Sequence, residues 1–541
     1  MSSAWRTTLG AALAMTEAGV LRPLGPRTTV GIARRFRALG TSPALLAGAA
    51  AVRWPDHVAI VDDAGSLTYR ELDERAAALA HALATRHVLG PGASLAVMCR
   101  NHRGLVLGLL AAGRLHADLV LVNTELPASQ LGPTLERHAP RVLLHDAEFA
   151  DRLSGLDDAT VALTAWSQDG PSDVDALASG PVPPGYRWPR PPEQAANLVI
   201  LTSGTTGAPK GVPRRPSSGD LLGTAASLLH RLGIRTNGTV VVCPPAFHGL
   251  GLVTMLLGLM TGSTVVMRSR FDAERAARDV AEHPGATLVV VPIMLQRLLG
   301  VRGVEERLSQ VGAVLSGGSA LSVATADELV ERVGPVLHNG YGSSEVGVAA
   351  VATPADLAAA PGTVGRPVLG TSVRIVDETG AVVPTGTPGR IVVASPLAFD
   401  QYSGGGRKAL VEGHVETGDV GTVDAAGRIV VTGRADDMIV SGGENVFPQP
   451  VEDALLRRPE VAEAAVVGVP DPAFGQRLEA FVVAHDEIDP VRLRDDLREE
   501  LTRYELPRTI TVVAELPRTA SGKVLRARLV ETTTTPAQED A

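Results

Sequence analysis

Short apolar runs alternate with helical segments through the first part of the chain, and this alternation limits the possible folds more than any other feature. Each run has the length of a buried strand. Ala- and Leu-rich segments with helical character lie at about 71–84 and 105–113. Because parallel strands joined by helices produce this pattern, an α/β fold is predicted. The predicted strands lie at 94–98, 118–122, 142–145, 198–201, 240–243, 263–267, 288–291 and 313–316.

A chain of 541 residues is too long for a single core, so more than one domain is expected. The pattern of strands and helices also changes along the sequence. From about residue 365, β-rich segments separated by Gly, Pro and Asp turns predict a small antiparallel subdomain. After residue 434 a smaller α/β unit follows, with helices expected near 449–456 and 490–501. The Pro-, Gly- and Ser-rich segment 166–192 is predicted to be a long surface connection.

Charge and cysteine usage exclude several classes of protein. The net charge is −9 and the pI is about 5.8, which argues against a nucleic-acid partner because such proteins usually present a basic face. Cys99 and Cys243 are far apart and unaccompanied, so neither a disulfide framework nor a metal site is predicted. A reducing cytoplasm fits this usage, and no apolar run reaches the length of a membrane helix.

The N-terminal segment at 8–21 is apolar but is interrupted by Thr16 and Glu17. We favour a helix that packs on its own domain. The alternative is peripheral contact with a membrane surface, to which the basic run at 34–37 would contribute.

A loop suited to an anion follows the strand at 198–201. Gly204 and Gly207 allow the backbone N–H groups to turn inward. The usual nucleotide-binding loop places Gly-Lys-Ser/Thr at the start of a helix, whereas Pro209 precedes the lysine here. The loop therefore predicts a polyphosphate site of a different kind, with a polar surface turn as the alternative. Its hydroxyl donors and its cation come from Ser203, Thr205, Thr206 and Lys210.

The chain has only three lysines, Lys210, Lys408 and Lys523, and arginine supplies nearly all other positive charge. Lys210 and Lys523 lie in loops rich in Gly, Ser or Thr. This placement indicates sites where a slim ammonium is needed and a planar guanidinium would not fit.

Two further strand ends carry residues suited to a ligand. After the strand at 240–243, Pro and Gly residues predict a rigid turn that holds Phe247 and His248 over a cleft, although a loop histidine without a role is the alternative. After the strand at 313–316, the glycine pair 317–318 would let a flat ligand approach the backbone.

The loop at 338–347 combines an aromatic ring, hydroxyls and a carboxylate. Tyr341 is suited to stack on a purine, Ser344 to bond a phosphate, and Glu345 to hold Mg²⁺ through oxygen. In the β-rich region, Asp419 is suited to accept hydrogen bonds from ribose hydroxyls. For each residue alone, an ordinary turn position is the alternative.

Taken in order, these blocks resemble the adenylate-forming superfamily of acyl-CoA synthetases, adenylation domains and luciferases. The resemblance extends from about residue 55 to residue 526, and a further similar block lies at 467–476. The blocks that carry it are 201–212, 244–251, 316–321, 339–347, 417–419, 433–445 and 516–526.

The resemblance implies an enzyme that makes an acyl-adenylate from a carboxylic acid and MgATP, releases pyrophosphate, and transfers the acyl group to CoA. It implies a large N-terminal domain of stacked α/β sheets with a small β-barrel, followed by a small mobile C-terminal α+β domain. The boundaries we expect are a helical extension at 1–50, an adenylation domain at 51–434 with its barrel at about 365–433, and a C-terminal cap at 435–541.

The resemblance also implies roles for individual residues. Ser344 would bond the α-phosphate, Glu345 would bind Mg²⁺, and Lys523 would bridge the acid's carboxylate and the α-phosphate; these three form the expected catalytic set. Asp419 and Arg434 would hold the ribose hydroxyls. The β- and γ-phosphates would be gripped by Thr202, Ser203, Gly204, Thr205, Thr206, Gly207 and Lys210, and the remaining ATP contacts, around the adenine, would come from Gly318, Ser319, Ala320, Asn339, Gly340 and Tyr341.

By the same resemblance, Phe247 and His248 would border the acyl pocket and Asp436 would be the hinge between the domains. The CoA tunnel would be lined by Ser441, Gly442, Gly443 and Glu444. The chain departs from the commonest family pattern at several positions, most of them in the barrel region rather than among the phosphate ligands: Ser344 for Thr, Arg390 for Glu, Gln401 for Gly, and Val415-Glu416 for an aromatic motif.

The function predicted is that of an ATP-dependent ligase joining a medium- or long-chain fatty acid to CoA, because the 441–445 loop is intact and an apolar helix is predicted beside His248 at 250–260. The alternatives are a standalone acyl-AMP ligase that loads a carrier protein, a luciferase-like oxygenase, and a non-catalytic acyl-nucleotide binder. The presence of Lys523 and Glu345 argues against the last. The expected ligands are the acid, ATP, Mg²⁺ and CoA.

Overall fold

The computed structural model describes residues 3–157, 159–202, 210–214, 218–399, 401, 407–441, 444–471, 475–485, 487–519 and 522–534. Three helices open the chain: α1 (Ser3–Glu17), α2 (Pro26–Leu39) and α3 (Pro43–Arg53). The small residues Ala11, Ala14 and Ala18 of the first segment are buried, as is Met15. The N-terminal segment therefore packs on the protein, as the favoured interpretation predicts. No helix within the described ranges is both long and apolar enough to cross a membrane.

A hairpin and a capped helix follow. Strands β1 (Val58–Asp62) and β2 (Gly65–Thr68) pair antiparallel, and α4 (Tyr69–His87) begins directly after them. Thr68 and Glu71 form a reciprocal capping box, which satisfies backbone N–H groups that the first turn of a helix leaves unpaired.

A six-stranded sheet comes next, in the order β6-β5-β3-β4-β7-β8. All its pairings are parallel except that of the edge strand β8, which runs back along β7. The predicted strands at 94–98, 118–122, 142–145 and 198–201 are confirmed. In chain order the elements are β3 (Ser94–Met98), α5 (Arg103–Leu115), β4 (Asp118–Leu121), α6 (Ala128–His138), β5 (Val142–Asp146), β6 (Val161–Trp166), α7 (Asp173–Ala178), β7 (Leu198–Thr202) and β8 (Lys210–Arg214).

The prediction of a surface connection at 166–192 is wrong in part. Helix α7 lies within it, and Ser172 and Asp175 form a capping box at its start. Val174 and Leu177 are buried in the main core. The helix is only six residues long, too short to show a periodic pattern among the surrounding Pro and Gly residues.

A fourteen-stranded sheet forms the second layer and also takes in the hairpin β1–β2. Its parallel part, β10-β9-β11-β12-β13, contains the predicted strands, and its antiparallel part contains the β-rich segment. The elements are α8 (Ser218–Leu232), β9 (Thr239–Val242), α9 (Gly249–Met260), β10 (Thr264–Met267), α10 (Ala273–Ala281), β11 (Thr287–Val290), α11 (Pro292–Leu299), α12 (Val304–Leu308), β12 (Ala313–Gly317), α13 (Val323–Arg332), β13 (Leu337–Ser343), β14 (Gly347–Ala352), α14 (Pro354–Ala359), β15 (Thr363–Pro367), β16 (Ser372–Val376), β17 (Gly389–Ala394), β18 (Leu410–Val411), β19 (His414–Val423) and β20 (Ile429–Arg434).

Helix α5 lies at the centre of the N-terminal domain, and all 13 of its residues are buried. Its apolar side chains belong to a core cluster that also contains residues of both sheets. Two arginines of this helix are neutralised by carboxylates: Arg103 bonds Asp62 at 2.6 Å, and Arg114 bonds Asp73. Buried charges persist in such a core because they are paired.

The C-terminal domain is smaller and has its own sheet and core. Strand β25 pairs with β24, which with β23 forms the long central hairpin. The helix predicted at 490–501 is shorter than expected and continues as a 3-10 turn at 497–499. The elements are β21 (Ile439–Ser441), β22 (Glu444–Val446), α15 (Pro448–Leu456), β23 (Val461–Asp471), β24 (Gly475–Ala484), α16 (Pro490–Asp496), β25 (Thr509–Val512) and α17 (Arg526–Thr534).

Candidate active site

Two neighbouring strands of the large sheet form a glycine-lined shelf. In β12 and β13, Ser316 pairs with Asn339 and Gly317 pairs with Gly340. A Cβ on Gly317 would lie 2.9 Å from the Gly340 carbonyl oxygen, so a larger residue would push the strands apart. The chain then leaves β12 through Gly318 at φ +88°, a conformation that favours glycine. The shelf therefore exposes backbone without a side chain at Gly318, beside the residues expected to line the adenine.

A carboxylate bridged by two donors lies at the end of this shelf. Tyr341 of β13 donates its hydroxyl to Asp419 Oδ2 at 2.5 Å, and Arg434 Nη1 lies 3.2 Å from Asp419 Oδ1. Asp419 and Arg434 are register partners on β19 and β20. Burial and the neighbouring Asp419 charge raise the pKa of Tyr341 well above its usual value, so its hydroxyl stays protonated as a donor. The predicted purine-stacking and ribose-binding residues thus meet in one cluster.

The predicted acyl-pocket turn joins β9 to α9. The ring centroids of Phe247 and His248 are 4.7 Å apart. Phe247 is buried in the core, whereas His248 is partly exposed. His248 directly precedes the first turn of α9. The pKa of His248 is lowered to about 4; burial is the larger cause and the charge of Lys523 is the smaller one. His248 is therefore a neutral imidazole at neutral pH. The buried ring of Phe247 packs the turn onto the core.

Asn101 holds this turn in place and was not identified from the sequence. Its side-chain amide donates to the Pro244 carbonyl at 2.9 Å, and its carbonyl accepts from the Ala246 N–H at 2.7 Å. Asn101 follows β3, so it connects the six-stranded sheet to the turn of the large sheet. The sequence gives little signal for it, because a buried Asn after a strand resembles an ordinary loop residue.

Lys523 reaches the same region from the C-terminal domain. Its loop is closed by hydrogen bonds from the Thr519 N–H to the Lys523 carbonyl at 2.8 Å and from Arg518 to the Gly522 carbonyl at 2.7 Å. A Cβ on Gly522 would lie 2.7 Å from Ile293 Cγ2 and 3.1 Å from Val291 Cγ2. The loop is therefore in direct contact with the N-terminal domain.

Val291 connects this loop to the glycine-lined shelf. Its Cγ1 lies 3.6 Å from the position that a Cβ on Gly318 would take, while its Cγ2 faces Gly522. The side chain of Lys523 is exposed, and its charge acts on His248. The structure thus brings the predicted Lys523 loop, the His248 turn and the Gly318 shelf together, although they come from distant parts of the chain.

Ser344 and Glu345 occupy the turn between β13 and β14, and both are partly buried. The Glu345 N–H donates to Ser343 Oγ at 3.2 Å, and its carbonyl accepts from the Phe399 N–H at 3.0 Å. The turn is thereby attached to the chain that follows β17. A carboxylate on a fixed backbone beside a hydroxyl is an oxygen donor set that suits Mg²⁺.

Part of the predicted phosphate loop lies outside the described residues. The predicted phosphate-binding residues outside the described ranges are Ser203, Gly204, Thr205, Thr206 and Gly207. Thr202 and Lys210 are paired backbone positions at the ends of β7 and β8. The loop therefore joins two antiparallel strands at the carboxyl end of β7. Ligands commonly bind at this edge of a parallel sheet.

The predicted hinge and CoA loop follow β20. The Asp436 carboxylate lies 3.3 Å from Arg434 Nη2. Ser441 is buried and is the strand partner of Glu444 and Gly475, both in the C-terminal domain. Glu444 is exposed. Gly442 and Gly443 lie outside the described residues.

The third lysine also lies near the candidate nucleotide site. Lys408 Nζ is 3.9 Å from the position that a Cβ on Gly418 would take, and Arg434 Nη2 is 3.0 Å from the same position. No role was predicted for Lys408, although it closely follows the glycine run at 404–406. The signal that it shares with Lys210 and Lys523 is the rarity of lysine in this chain.

Two of the departures from the family pattern pair with each other. Arg390 Nη1 lies 2.5 Å from Glu416 Oε1, and the pair is half-buried between β17 and β19. The unusual Arg390 thus finds its counter-charge in the equally unusual Glu416 on the neighbouring strand.

Comparison with protein-family models agrees with this geometry. A model described as "AMP-binding enzyme" matches residues 48–403, and a model described as "AMP-binding enzyme C-terminal domain" matches residues 450–523. A two-domain α/β fold with these clusters defines an adenylate-forming enzyme of the acyl-CoA synthetase type. The chain belongs to the AMP-binding enzyme family.

Curated relatives extend over most of the chain. It is 33% identical over 489 residues to a feruloyl-CoA synthase from an Amycolatopsis species, an alignment covering 88% of this chain and 96% of the relative. It is 34% identical over 511 residues to a sulfoacetate–CoA ligase from Cupriavidus necator, covering 90% and 97%.

Solved structures show the same architecture. ATP-bound MatB from Rhodopseudomonas palustris is 26% identical, with a TM-score of 0.80 over 93% of this chain and 98% of that one. The o-succinylbenzoate CoA synthetase MenE from Bacillus subtilis, in complex with its acyl-adenylate intermediate, is 28% identical, with a TM-score of 0.77 over 90% and 97%.

Proposed function

We propose that this protein is an ATP-dependent acyl-CoA ligase of the AMP-forming kind. The observation that carries the proposal is the position of the Lys523 loop, which contacts Val291 and Ile293 beside His248 and Gly318. A carboxylate oxygen attacks the α-phosphorus of ATP, the bond to pyrophosphate breaks, and an acyl-adenylate remains. The CoA thiol then gives up its proton and attacks the acyl carbon, and AMP leaves.

The first step brings two anions together, so cations must neutralise both. Lys523 is the cation that bridges the acid's carboxylate and the α-phosphate, and Ser344 bonds the α-phosphate. Glu345 would hold Mg²⁺, which would supply positive charge to neutralise the phosphates. Asp419 accepts hydrogen bonds from the ribose hydroxyls, and Arg434 helps to orient the ribose. Loss of one such preorganised contact typically lowers the rate by about 10²–10³-fold.

The remaining ATP contacts belong to the glycine shelf and the phosphate loop. Residues 202–207 and Lys210 grip the β- and γ-phosphates, and the adenine lies on the shelf against Tyr341. The support for this arrangement is that each segment follows the carboxyl end of a parallel strand, where ligands commonly bind: the phosphate loop follows β7 of the six-stranded sheet, and the shelf follows β12 of the fourteen-stranded sheet.

A second conformation serves the thioester step. Residues 435–541 form the cap, which rotates about Asp436 relative to residues 51–434, and the barrel at about 365–433 carries the ribose site. Rotation brings the 441–444 loop to the CoA tunnel in place of the Lys523 loop. The exposure of Asp436 and Glu444 supports this assignment, because neither residue is locked by packing.

The acid that fits best is a medium- or long-chain fatty acid. Helix α9 starts directly after His248 and carries no charged residue. Leu250, Val253, Leu256 and Met260 along it pack against the main core and are only partly buried, so the helix leaves some apolar surface exposed. A neutral His248 adds no charge to that surface.

An aromatic acid is the second candidate, because relatives such as the feruloyl-CoA synthase and the o-succinylbenzoate synthetase are named for such substrates. A carrier protein as acceptor is the alternative for the second step. We place the enzyme in the cytoplasm, where the free thiols of Cys99 and Cys243 would stay reduced.

A coupled pyrophosphate-release assay tests the proposal. The panel contains straight-chain acids from short to long, ferulate, o-succinylbenzoate and sulfoacetate, each with and without CoA. Turnover with apolar chains and a thioester product seen by mass spectrometry are expected. Preference for ferulate would select the second candidate, acyl-AMP without thioester formation would favour a carrier acceptor, and no release above background would refute the ligase.

A further inference from the structure

The N-terminal 40 residues have a charge opposite to that of the rest of the chain. They contain six arginines and one glutamate, a net charge of +5, so the other residues carry 44 basic and 58 acidic side chains, a net charge of −14. The family match begins at residue 48, so this basic segment lies outside the matched catalytic domains.

Exposed apolar side chains are concentrated in the same segment. Of the 13 large apolar residues that are exposed in the described parts of the chain, five lie between residues 13 and 36. They are Leu13, Leu21, Leu24, Val30 and Phe36, with 38–58% of each exposed. Single exposed apolar residues are ordinary, but a group beside unpaired arginines indicates an interaction surface.

Helix α2 separates its arginines into an inner and an outer group. Arg35 points inward and bonds Asp73 of α4 at 2.6 Å. Arg27, Arg34 and Arg37 are exposed, and none of them forms an ion pair with any residue that the structure describes. Their spacing of seven and three residues places all three on one side of the helix, together with Val30.

This outer side is held rigidly on the catalytic domain. Arg53 of α3 donates to the Val20 carbonyl at 2.9 Å and to the Gly19 carbonyl at 3.2 Å, which fixes the turn between α1 and α2. Gly31 of α2 packs closely against Val52, and a Cβ there would lie 2.7 Å from Val52 Cγ1. The exposed residues of α2 thus lie on a helix that is packed on the catalytic domain.

We propose that α2 and the turn before it dock on an anionic phospholipid bilayer. The α2 surface consists of Arg27, Val30, Arg34 and Arg37, with Leu21 and Leu24 in the preceding turn. Arginines beside exposed Val and Leu side chains suit lipid headgroups over an acyl boundary, which is how interfacial helices bind. The −14 charge of the remaining chain is repelled by the same bilayer, so the protein would dock with this side foremost.

Docking is independent of which acid is activated, because it needs neither ATP nor CoA. The test is flotation of the full chain with vesicles of phosphatidylcholine alone, or of equal parts phosphatidylcholine and phosphatidylglycerol. Two variants probe this surface: Arg27→Glu/Arg34→Glu/Arg37→Glu, and Leu24→Ser/Val30→Ser. The control Arg278→Glu/Arg302→Glu/Arg492→Glu makes the same charge change at exposed arginines elsewhere.

The wild type and the control are expected to float with the anionic vesicles and not with phosphatidylcholine alone. Each basic residue near an anionic surface contributes about five-fold in partitioning, so the α2 triple variant should bind about 100-fold more weakly. Raising NaCl from about 0.1 M to about 1 M should also release the protein, because the Debye length falls from about 10 Å to about 3 Å.

Three results would overturn the proposal. One is no flotation of the wild type with anionic vesicles at low salt. Another is equal flotation of the α2 triple variant and its control. The third is a wild type that fails to float and is a dimer by light scattering, while the α2 variants are monomers. This result would assign the surface to a second copy of the chain.

Discussion

Gly522 of the C-terminal domain lies against Ile293 of the N-terminal domain, so close that a Cβ on the glycine would be 2.7 Å from Ile293 Cγ2. This contact positions the Lys523 loop beside His248 and the glycine shelf. The absence of a side chain at residue 522 is thus a requirement of the interface as well as of the positive φ of +81°.

Gly522→Ala should displace the Lys523 loop. We expect acyl-AMP formation to fall by about 100-fold, since a misplacement of about 1 Å can cost that much, while transfer from supplied acyl-AMP to CoA persists. Gly92→Ala is the matched control, because Gly92 has a φ of +82° with no atom within 4 Å of its Cβ position. Equal losses in both variants would show that backbone strain, not the interface, is responsible.

Asp419→Ala should remove recognition of the ribose. Because a hydrogen bond to a charged group contributes about 1.5–3 kcal/mol, we expect kcat/KM for ATP to fall about 10- to 100-fold. Discrimination against 2′,3′-dideoxy-ATP should disappear in the variant. Asp424→Ala is the control, since Asp424 lies in the turn after β19 and bonds Arg428. Retained discrimination would contradict the assignment of Asp419.

The Arg390–Glu416 pair should behave as a unit. Arg390→Glu and Glu416→Arg each place like charges together, and each should lower the free energy of unfolding by about 1 kcal/mol. The double swap should recover most of this loss, with a coupling energy of about 0.5–1 kcal/mol for a half-buried pair. Strictly additive effects in chemical denaturation would show that the two side chains are independent.

His248 should make stability depend on pH. Its pKa is about 4 in the folded protein and about 6.5 when unfolded, so the unfolded state binds more protons between these values and stability falls as pH drops through this window. Between pH 7 and pH 5 the wild type should lose roughly 2 kcal/mol more than His248→Asn. Parallel stability curves for the two proteins would contradict this account.

Part of the candidate site was predictable because it follows a strand end. Gly318 follows β12 and Tyr341 lies in β13, the parallel neighbour of β12, so the two residues come together at one edge of the sheet. Asp419 and Arg434 were assigned together by resemblance, and their pairing across β19 and β20 explains why the two motifs occur together.

Other features depend on contacts that no local pattern contains. Asn101 acts through a turn more than 140 residues away, and Arg390 is explained only by the register that brings Glu416 beside it. The short helix α7 was missed because Pro and Gly dominate its surroundings. The approach of Lys523 to His248 depends on how two domains are placed relative to each other, which periodicity does not encode.

The central claim is that Lys523 acts in adenylation alone and leaves the site for thioester formation. The measurement is the rate of each half-reaction, acyl-AMP formation from acid and MgATP and transfer from supplied acyl-AMP to CoA, in Lys523→Ala and in Asp436→Pro. Lys523→Ala should lose the first and keep the second, and Asp436→Pro, with its hinge stiffened, should do the reverse. Equal loss of both half-reactions in Lys523→Ala would contradict the account.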